Sequence, residues 1–215
     1  MHNTMYKRLI GAAVFLFVIV IVASSAVNKP VERVPLVSEH PADPAAAKLF
    51  DDMRAHGEQV LNTFRMSANA PAIWVAQHEY GQKLRYAAKV PRLYRELIIL
   101  RTTQVENGQY EYVHHIPLAL SCGVSKAQID ALPRWRQSKA FDPKERAVLA
   151  FSDGMATKAG PDDATFHTLS SFFGNQEIVE LAMTDGFYMS GAHVGTALGL
   201  QLESNGGAGS IPHGC

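Results

Sequence analysis

Two ionisable residues lie on apolar faces of predicted helices near the middle of the chain. Glu96 follows Leu93 by three positions and precedes Leu100 by four, so helical spacing places its carboxylate on a leucine stripe. His115 follows Glu111 by four positions, which places both on one side of the next helix. Because a buried carboxylate is costly unless it is paired, we expect Glu96 and His115 to meet across the two helices.

A histidine beside a carboxylate can take up and release a proton near neutral pH, which suits general acid–base catalysis on a small organic substrate. The predicted catalytic residues are therefore His115, Glu96 and Glu111. The same spacing also permits a structural role in which Glu96 pairs with Arg92 or Arg95. Glu111 and His115 could likewise form a surface pair that contributes only a few tenths of a kcal/mol.

Three further side chains are predicted to contact a substrate beside His115: Tyr110, Trp74 and His193. Tyr110 could add a hydroxyl group close to the pair. His193 lies in the last predicted helix, where a histidine is more often a satisfied core residue than a catalyst. We expect a small-molecule substrate and no metal or cofactor, because His114 points about 100° away from His115 and no other ligand has diagnostic spacing.

Helix signals cover the chain from residue 45 to residue 202. Ser125 and Gln128 have the spacing of a capping box, and Asp142 and Glu145 flank a proline at another helix start. No alternating strand pattern bounded by hairpin turns occurs, so we predict an all-α fold, a helical bundle. The predicted helices are 45–66, 71–88, one from 91 that is broken at Asn107-Gly108, 109–121, 126–132, 143–158, one around 166–173, and 176–202.

The last predicted helix, 176–202, is apolar nearly all round and rich in glycine, alanine and serine. Small residues let helices approach closely, so we expect this helix at the centre of the bundle or at a subunit contact. The residues that follow, 203–215, are rich in glycine and polar residues and are predicted to form a flexible tail.

The composition fits one globular domain with an N-terminal extension. The chain has 215 residues, of which 47% are hydrophobic, and its 20 basic and 20 acidic residues balance. No basic block occurs, so we expect no nucleic-acid partner. We assign residues 45–202 to the helical domain, and residues 28–44, which contain four prolines, to an extended linker that does not pack.

Residues 1–27 have the features of a signal peptide or a membrane anchor. Lys7 and Arg8 precede an uncharged apolar run from residue 9 to residue 23, and small residues follow it. This pattern fits an export signal, but the run is nearly long enough to span a bilayer, so residues 9–27 could also anchor the chain. Because the basic residues lie on the N-terminal side, both alternatives place the domain outside the cytoplasm, periplasmic or secreted, or anchored facing outward.

The two cysteines, Cys122 and Cys215, do not form a CxxC motif, so the local sequence contains no dithiol redox centre. They could form a disulfide in an oxidising compartment. Alternatively, Cys122 is a small buried residue after a helix and Cys215 is a loose terminal residue.

The central region resembles the core motif of the carboxymuconolactone decarboxylase family, which includes the alkylhydroperoxidase D-like (AhpD-like) proteins. The matching features are an R-E-L-x-I-L helix, an N-x-x-Y-E-x-x-x-H-x-P-L-A segment and a G-V-S-x-x-Q-I restart. The likeness spans about residues 45–202. It implies an all-α AhpD-like bundle, a homo-oligomer that is often a trimer or hexamer, and proton-relay roles for Glu96 and His115.

The peroxidase branch of this family has a C-x-x-C-x-x-x-H centre. Alignment on His115 places its two cysteines at Gly108 and Glu111, so this chain keeps the glutamate and the histidine and lacks both thiols. A thiolate attacks a peroxide and a carboxylate does not. The lactone decarboxylase branch works without a dithiol, so our first hypothesis is a cofactor-free lyase or isomerase for a small organic acid or lactone. A thiol peroxidase and a non-catalytic exported binding protein are the alternatives.

Overall fold

The computed structural model describes residues 32–204 and Cys215. The predicted signal peptide or anchor, residues 1–27, lies outside the described residues. Within residues 32–204, no helix combines the length and the hydropathy that crossing a membrane requires. The described part of the chain is helical and contains no strand, which confirms the predicted all-α fold class.

The described residues form nine α-helices and one 3₁₀ segment, joined by loops. Ser125 forms the predicted capping box before the helix that begins at Lys126, and Asp142 is the N-cap of the helix that begins at Pro143, as predicted. The last helix ends earlier than predicted because Gly199 takes a left-handed backbone with φ 71°. The elements are α1 (Pro44–Ala55), α2 (Asn62–Ser67), α3 (Pro71–Tyr86), α4 (Arg92–Val105), α5 (Gln109–Ser121), α6 (Lys126–Ala131), the 3₁₀ segment (Leu132–Gln137), α7 (Pro143–Lys158), α8 (Asp163–Ser170) and α9 (Asn175–Leu198).

The single helix predicted for residues 45–66 is wrong, because the chain forms α1 and α2 with a loop between them. Gly57 adopts φ 75°, a left-handed conformation that ends a helix. The backbone N–H of Glu58 then donates to the carbonyl of Met53 at 2.9 Å and closes the end of α1. Val60, in the loop, still packs against the small apolar cluster beneath α1, which explains why the sequence pattern continues through the break.

Helix α4 lies at the centre of the bundle and packs against α5, α7 and α9. Leu97, Ile98 and Leu100 are fully buried on it, and Leu149 of α7 and Leu181 of α9 are buried against the same core. Burial of each such side chain stabilises the fold by about 1.5–3 kcal/mol. Helix α9 contacts α3, α4, α5, α7 and α8, which confirms the central position predicted for the last helix.

The described part of the predicted linker, residues 32–43, packs against the domain, so the prediction of an unpacked linker is wrong there. The backbone N–H of Arg33 donates to the carbonyl of Leu198 at 2.9 Å. The backbone N–H of Val37 donates to the carbonyl of Arg65 at 3.1 Å, and Nε of Arg65 donates back to the carbonyl of Val37 at 2.9 Å. Prolines keep the segment extended, but its backbone groups find partners on the bundle.

Two residues of the predicted flexible tail are held against the domain. The Glu203 carboxylate accepts the backbone N–H of Asn62 at 2.7 Å. Cys215 forms a disulfide with Cys122, the residue that follows α5, so of the two alternatives for the cysteines the structure has the disulfide. Residues 205–214 lie outside the described residues.

Candidate active site

The predicted pair of Glu96 and His115 forms where α4 packs against α5. Nδ1 of His115 lies 2.8 Å from Oε2 of Glu96. Glu96 is 0% exposed and His115 is 5% exposed. Because water does not screen this contact, the interaction between the two side chains is stronger than at the surface.

Arg92 binds the other oxygen of the same carboxylate. Its Nε donates to Oε1 of Glu96 at 2.5 Å, whereas Arg95 donates to backbone carbonyls at and just after the end of α3. Burial alone would raise the pKa of Glu96, but His115 and Arg92 outweigh it and lower that pKa. The ionised carboxylate therefore serves the arginine and the histidine at once, so the structural and the catalytic interpretation are compatible.

The hydrogen bond to Glu96 fixes the tautomer of the neutral His115 ring. An ionised carboxylate can only accept, so Nδ1 of His115 carries the proton and Nε2 keeps its lone pair. The ring packs edge-to-face against Tyr188, with 4.6 Å between the centroids. Burial raises the pKa of Tyr188 to about 12, so its hydroxyl stays protonated at neutral pH. Because Nδ1 is engaged by Glu96, Nε2 is the nitrogen of His115 that is available for proton transfer.

A cavity of about 680 Å³ opens beside His115, a size that suits a small organic ligand. Its wall is mostly apolar and includes Phe64, Ile73 and Phe187. Four of the predicted site residues line this wall. Glu96 does not line it, but it forms a hydrogen bond with His115, which does. The four are Trp74, Tyr110, Glu111 and His115.

Glu111 differs from Glu96 in that no hydrogen bond or ion pair to a described residue holds its carboxylate at the cavity wall. Its Oε1 lies 3.5 Å from the position that a Cβ would take at Gly191 of α9. The missing side chain at Gly191 therefore leaves room for the carboxylate. This free carboxylate can interact with a ligand that enters the cavity.

His193 is not brought to the cavity. It lies on α9, its side chain is 58% exposed, and its Nε2 is 2.5 Å from Oε2 of Glu106. The helical period places it on a face of α9 that points to solvent, away from His115. Of the three predicted substrate-contacting residues, Tyr110 and Trp74 therefore line the cavity and His193 does not.

A buried polar cluster that the sequence did not predict lies at one edge of the cavity. Glu203 approaches Nε2 of His114 at 2.7 Å and accepts the hydroxyl of Tyr110 at 2.5 Å. Burial opposes these contacts, but the hydrogen bonds from His114, Tyr110 and Asn62 lower the pKa of Glu203 to about 2. Burial likewise opposes a charge on His114, yet Glu203 raises its pKa. No local pattern signals this cluster, because Glu203 lies 89 residues from His114.

Neither cysteine of the described residues lines the cavity. Cys122 and Cys215 are joined to each other and are absent from the cavity wall. Gly108, where the peroxidase branch has its first cysteine, packs so closely that a Cβ there would collide with Cβ of Ala192. Within residues 32–204, no three His, Cys, Asp or Glu side chains converge closely enough to hold a metal ion.

Residues 75–153 match the model of the carboxymuconolactone decarboxylase family. This segment contains α4 and α5 and therefore both Glu96 and His115. The uncharacterized protein YdfG of Bacillus subtilis is 23% identical over 126 residues, which are 57% of this chain and 85% of that protein.

Solved structures have a similar fold. An uncharacterized peroxidase-related protein from Ralstonia eutropha, with an alkylhydroperoxidase AhpD core, matches with a TM-score of 0.71 and 18% identity, over 86% of this chain and 99% of that chain. The debrominase Bmp8, in complex with 2,3,4-tribromopyrrole, matches with a TM-score of 0.65 and 18% identity, over 75% of this chain and 87% of that chain. At these identities the likeness shows the shared fold alone.

Proposed function

The chain belongs to the carboxymuconolactone decarboxylase and AhpD-like family, and on that premise we propose that it is a cofactor-free acid–base enzyme of lyase or isomerase type. Its substrate is a small organic acid or lactone that enters the cavity beside His115. The observation that carries this proposal is the buried series Arg92–Glu96–His115, which ends at a histidine that lines the cavity.

In this proposal His115 moves one proton. Nε2 takes it from the substrate, and the ionised Glu96 carboxylate, 2.8 Å from Nδ1, stabilises the imidazolium that forms. In an isomerase the proton returns to a different atom of the same molecule. In a lyase the electron pair of the broken bond to hydrogen expels a leaving group, and that group takes up the proton.

Glu111 is the second carboxylate of the proposed site. It lines the cavity without an ion-pair partner among the described residues and follows the turn that contains Gly108. Such a carboxylate can accept a hydrogen bond from a substrate hydroxyl or take up a second proton. It occupies the position where the peroxidase branch has a thiol, which supports acid–base chemistry over thiol chemistry.

Replacement of His115 by alanine tests the proposal. Turnover of the compounds that the wild type consumes, found by NMR in a panel of small lactones and organic acids, should fall by at least about 10²-fold. The matched control is His193→Ala, which removes an exposed histidine outside the cavity and should leave turnover unchanged. Wild-type turnover by a folded His115→Ala protein, checked by circular dichroism, would contradict the assigned role.

A thiol peroxidase is the alternative suggested by the likeness to structures with an AhpD core. Both described cysteines are engaged in one disulfide away from the cavity wall, and Glu111 takes the place of a thiol. We therefore expect the purified chain to consume no hydroperoxide. Consumption that Cys122→Ser abolishes would establish the alternative instead.

We further propose that the domain lies outside the cytoplasm, where residues 1–27 export or anchor it, and that it forms a homo-oligomer. The disulfide supports an oxidising compartment. Val179 and Met183, four residues apart on α9, form an exposed apolar patch outside the cavity wall, which supports burial against a second copy. Light scattering that finds only monomers at micromolar concentration would rule out the oligomer.

The third hypothesis, a non-catalytic binding protein, makes a different prediction from the enzyme hypotheses. A compound would bind in the cavity beside His115, but no member of the panel would be converted by the wild type. Ligand-observed NMR with the same panel reports binding and conversion in one experiment, so it separates this hypothesis from the acid–base enzyme.

A further inference from the structure

The cavity has a second group of polar side chains, on the α3 side, that the proposed proton transfer does not use. Arg85 lines the cavity from the last turn of α3. No carboxylate among the described residues forms an ion pair with its guanidinium, whereas Arg92 and Arg101 each have one. An arginine that lines an apolar cavity without an ion-paired carboxylate keeps its charge and can donate to a ligand.

Tyr188 faces Arg85 from α9. Its hydroxyl is buried at the cavity wall, where the Arg85 guanidinium is the one group of the described residues that interacts with it as a hydrogen-bond partner. Burial alone would lower the pKa of Arg85, but Tyr188, Tyr86 and Glu58 raise it, so the guanidinium stays charged. Because the Tyr188 ring also contacts His115, it connects the Arg85 side of the cavity to the proposed catalytic residue.

His78 adds a third donor without an acceptor. It precedes Arg85 by seven residues on α3, so the two lie on the same helix face, two turns apart. Nε2 of His78 is 3.0 Å from the side-chain amide of Gln82, and its Nδ1 has no partner among the described residues. Burial and then the charge of Arg85 lower the pKa of His78 to about 4, so the ring is neutral at pH 7. With the amide nitrogen donating to Nε2, the ring hydrogen lies on Nδ1.

We propose that Arg85, with the Tyr188 hydroxyl and Nδ1 of His78, forms a subsite for the carboxylate group of the substrate. This assignment rests on the proposed function and names its substrate class: a monocarboxylate with an apolar ring or chain. The carboxylate lies at Arg85, and the apolar body extends past Tyr188 toward His115. The apolar wall that receives this body includes Phe64, Trp74 and Phe187.

The acidic residues of the cavity restrict the ligand to one negative charge. Glu58 lines the cavity on the Arg85 side, and Glu111 lines it on the His115 side. A second carboxylate or a phosphate on the ligand would approach one of these two side chains and be repelled. A single carboxylate at Arg85 is attracted by the guanidinium, which also interacts with Glu58.

Calorimetric titration of the purified full chain with cyclohexanecarboxylate and with its neutral amide tests the subsite. The wild type should bind the acid more tightly than the amide. Arg85→Gln should weaken binding of the acid roughly tenfold or more and leave binding of the amide unchanged, because one charge-assisted contact is lost. Arg85→Lys should retain part of the preference for the acid. The matched control, Lys83→Gln, removes one charge from an exposed position of the same helix and should change neither affinity.

Three outcomes would overturn the subsite: unchanged binding of the acid by Arg85→Gln, equal binding of acid and amide by the wild type, or no binding of either. The subsite and the proposed catalysis can fail separately. His115→Ala should still bind the acid with wild-type affinity. Loss of the acid preference in Arg85→Gln without turnover by the wild type would keep the subsite and reject the enzyme. Loss of turnover in His115→Ala with unchanged binding of the acid by Arg85→Gln would keep the enzyme and reject the subsite.

Discussion

Glu96 is the residue at which the charges of the site meet. It is fully buried, and its two oxygens accept from Arg92 and from His115. Removal of one member of a buried ion pair leaves an uncompensated charge and costs about 3–5 kcal/mol. The carboxylate that orients the proposed catalyst is therefore also needed for stability. Its removal would not separate the two roles, so His115 is the better residue to replace.

Glu203 differs from Glu96 in its place in the chain, because it belongs to the C-terminal segment, which reaches the cavity edge. It contacts His114 and Tyr110, with side-chain exposures of 9% for both Glu203 and His114. The pKa of Glu203 is lowered from 4.5 to about 2, so its contribution to stability is present above about pH 4.5 and is lost as the pH falls toward 2. The pKa of His114 is raised, so its contribution is present below 6.5 and is lost as the pH rises through the higher folded-state value.

We predict that Glu203→Gln lowers the free energy of unfolding by about 2 kcal/mol, because the buried His114 loses its charged partner. The loss should be largest between about pH 4.5 and pH 6.5 and smaller on either side, since the stability contributions of both partners are fully present only in that window. Urea unfolding at several pH values measures it. Glu39→Gln, which removes an exposed carboxylate, is the control. A pH-independent difference between Glu203→Gln and the wild type would contradict the ion pair.

At the scale of elements, the turn between α4 and α5 packs closely against α9. Gly108 caps the start of α5 with φ −76°, a conformation open to any residue, so its role is not backbone freedom. A Cβ at this position would collide with Cβ of Ala192 and come within 3.1 Å of its Cα. Gly108 and Ala192 therefore let α9 approach the turn that leads to Glu111 and His115.

Gly108→Ala should destabilise the protein by about 1–3 kcal/mol, because α9 must shift to accept the extra methyl group. Gly160→Ala is the matched control, since a Cβ there meets no atom within 4 Å. Thermal unfolding of both variants gives the comparison. Equal unfolding temperatures for Gly108→Ala and Gly160→Ala would show that the turn does not pack tightly against Ala192 of α9. A cysteine at residue 108 would meet the same obstacle, so this packing is compatible with the loss of the peroxidase thiol.

At the scale of the molecule, both ends of the described chain return to the bundle. Residues 32–43 run along α2 and the end of α9, and Cys215 is bonded to Cys122 at the end of α5. The disulfide joins residues 93 positions apart. It therefore restricts the unfolded chain over nearly half of its length.

Cys215→Ser should lower the free energy of unfolding by about 2 kcal/mol under oxidising conditions, because the unfolded chain regains the freedom that the closed loop removes. Urea unfolding of both proteins with and without a reductant measures this. In the presence of the reductant the wild type and the variant should unfold alike. A wild type that unfolds identically in both conditions, or that reacts with a thiol reagent before unfolding, would contradict a formed disulfide.

The local patterns predicted what depends on neighbours in sequence. Helical spacing placed Glu96 on the buried side of α4 and His115 on that of α5, and capping residues marked the starts of α6 and α7. These signals work because a helix repeats every 3.6 residues and each end needs partners for its free N–H and C=O groups. The same signals failed at Gly57, where one left-handed residue ended α1 although the apolar spacing continued.

The sequence by itself determined an all-α chain with a carboxylate and a histidine on facing helices and no thiol pair between them. Only the tertiary structure decided that Arg92 shares the Glu96 carboxylate, that Glu203 closes one edge of the cavity, and that His193 faces solvent. It also decided that Arg85 reaches the cavity and forms no ion pair with a carboxylate of the described residues. The physical reason is range: helical periodicity fixes which face a residue occupies, but packing between distant segments fixes what that face meets.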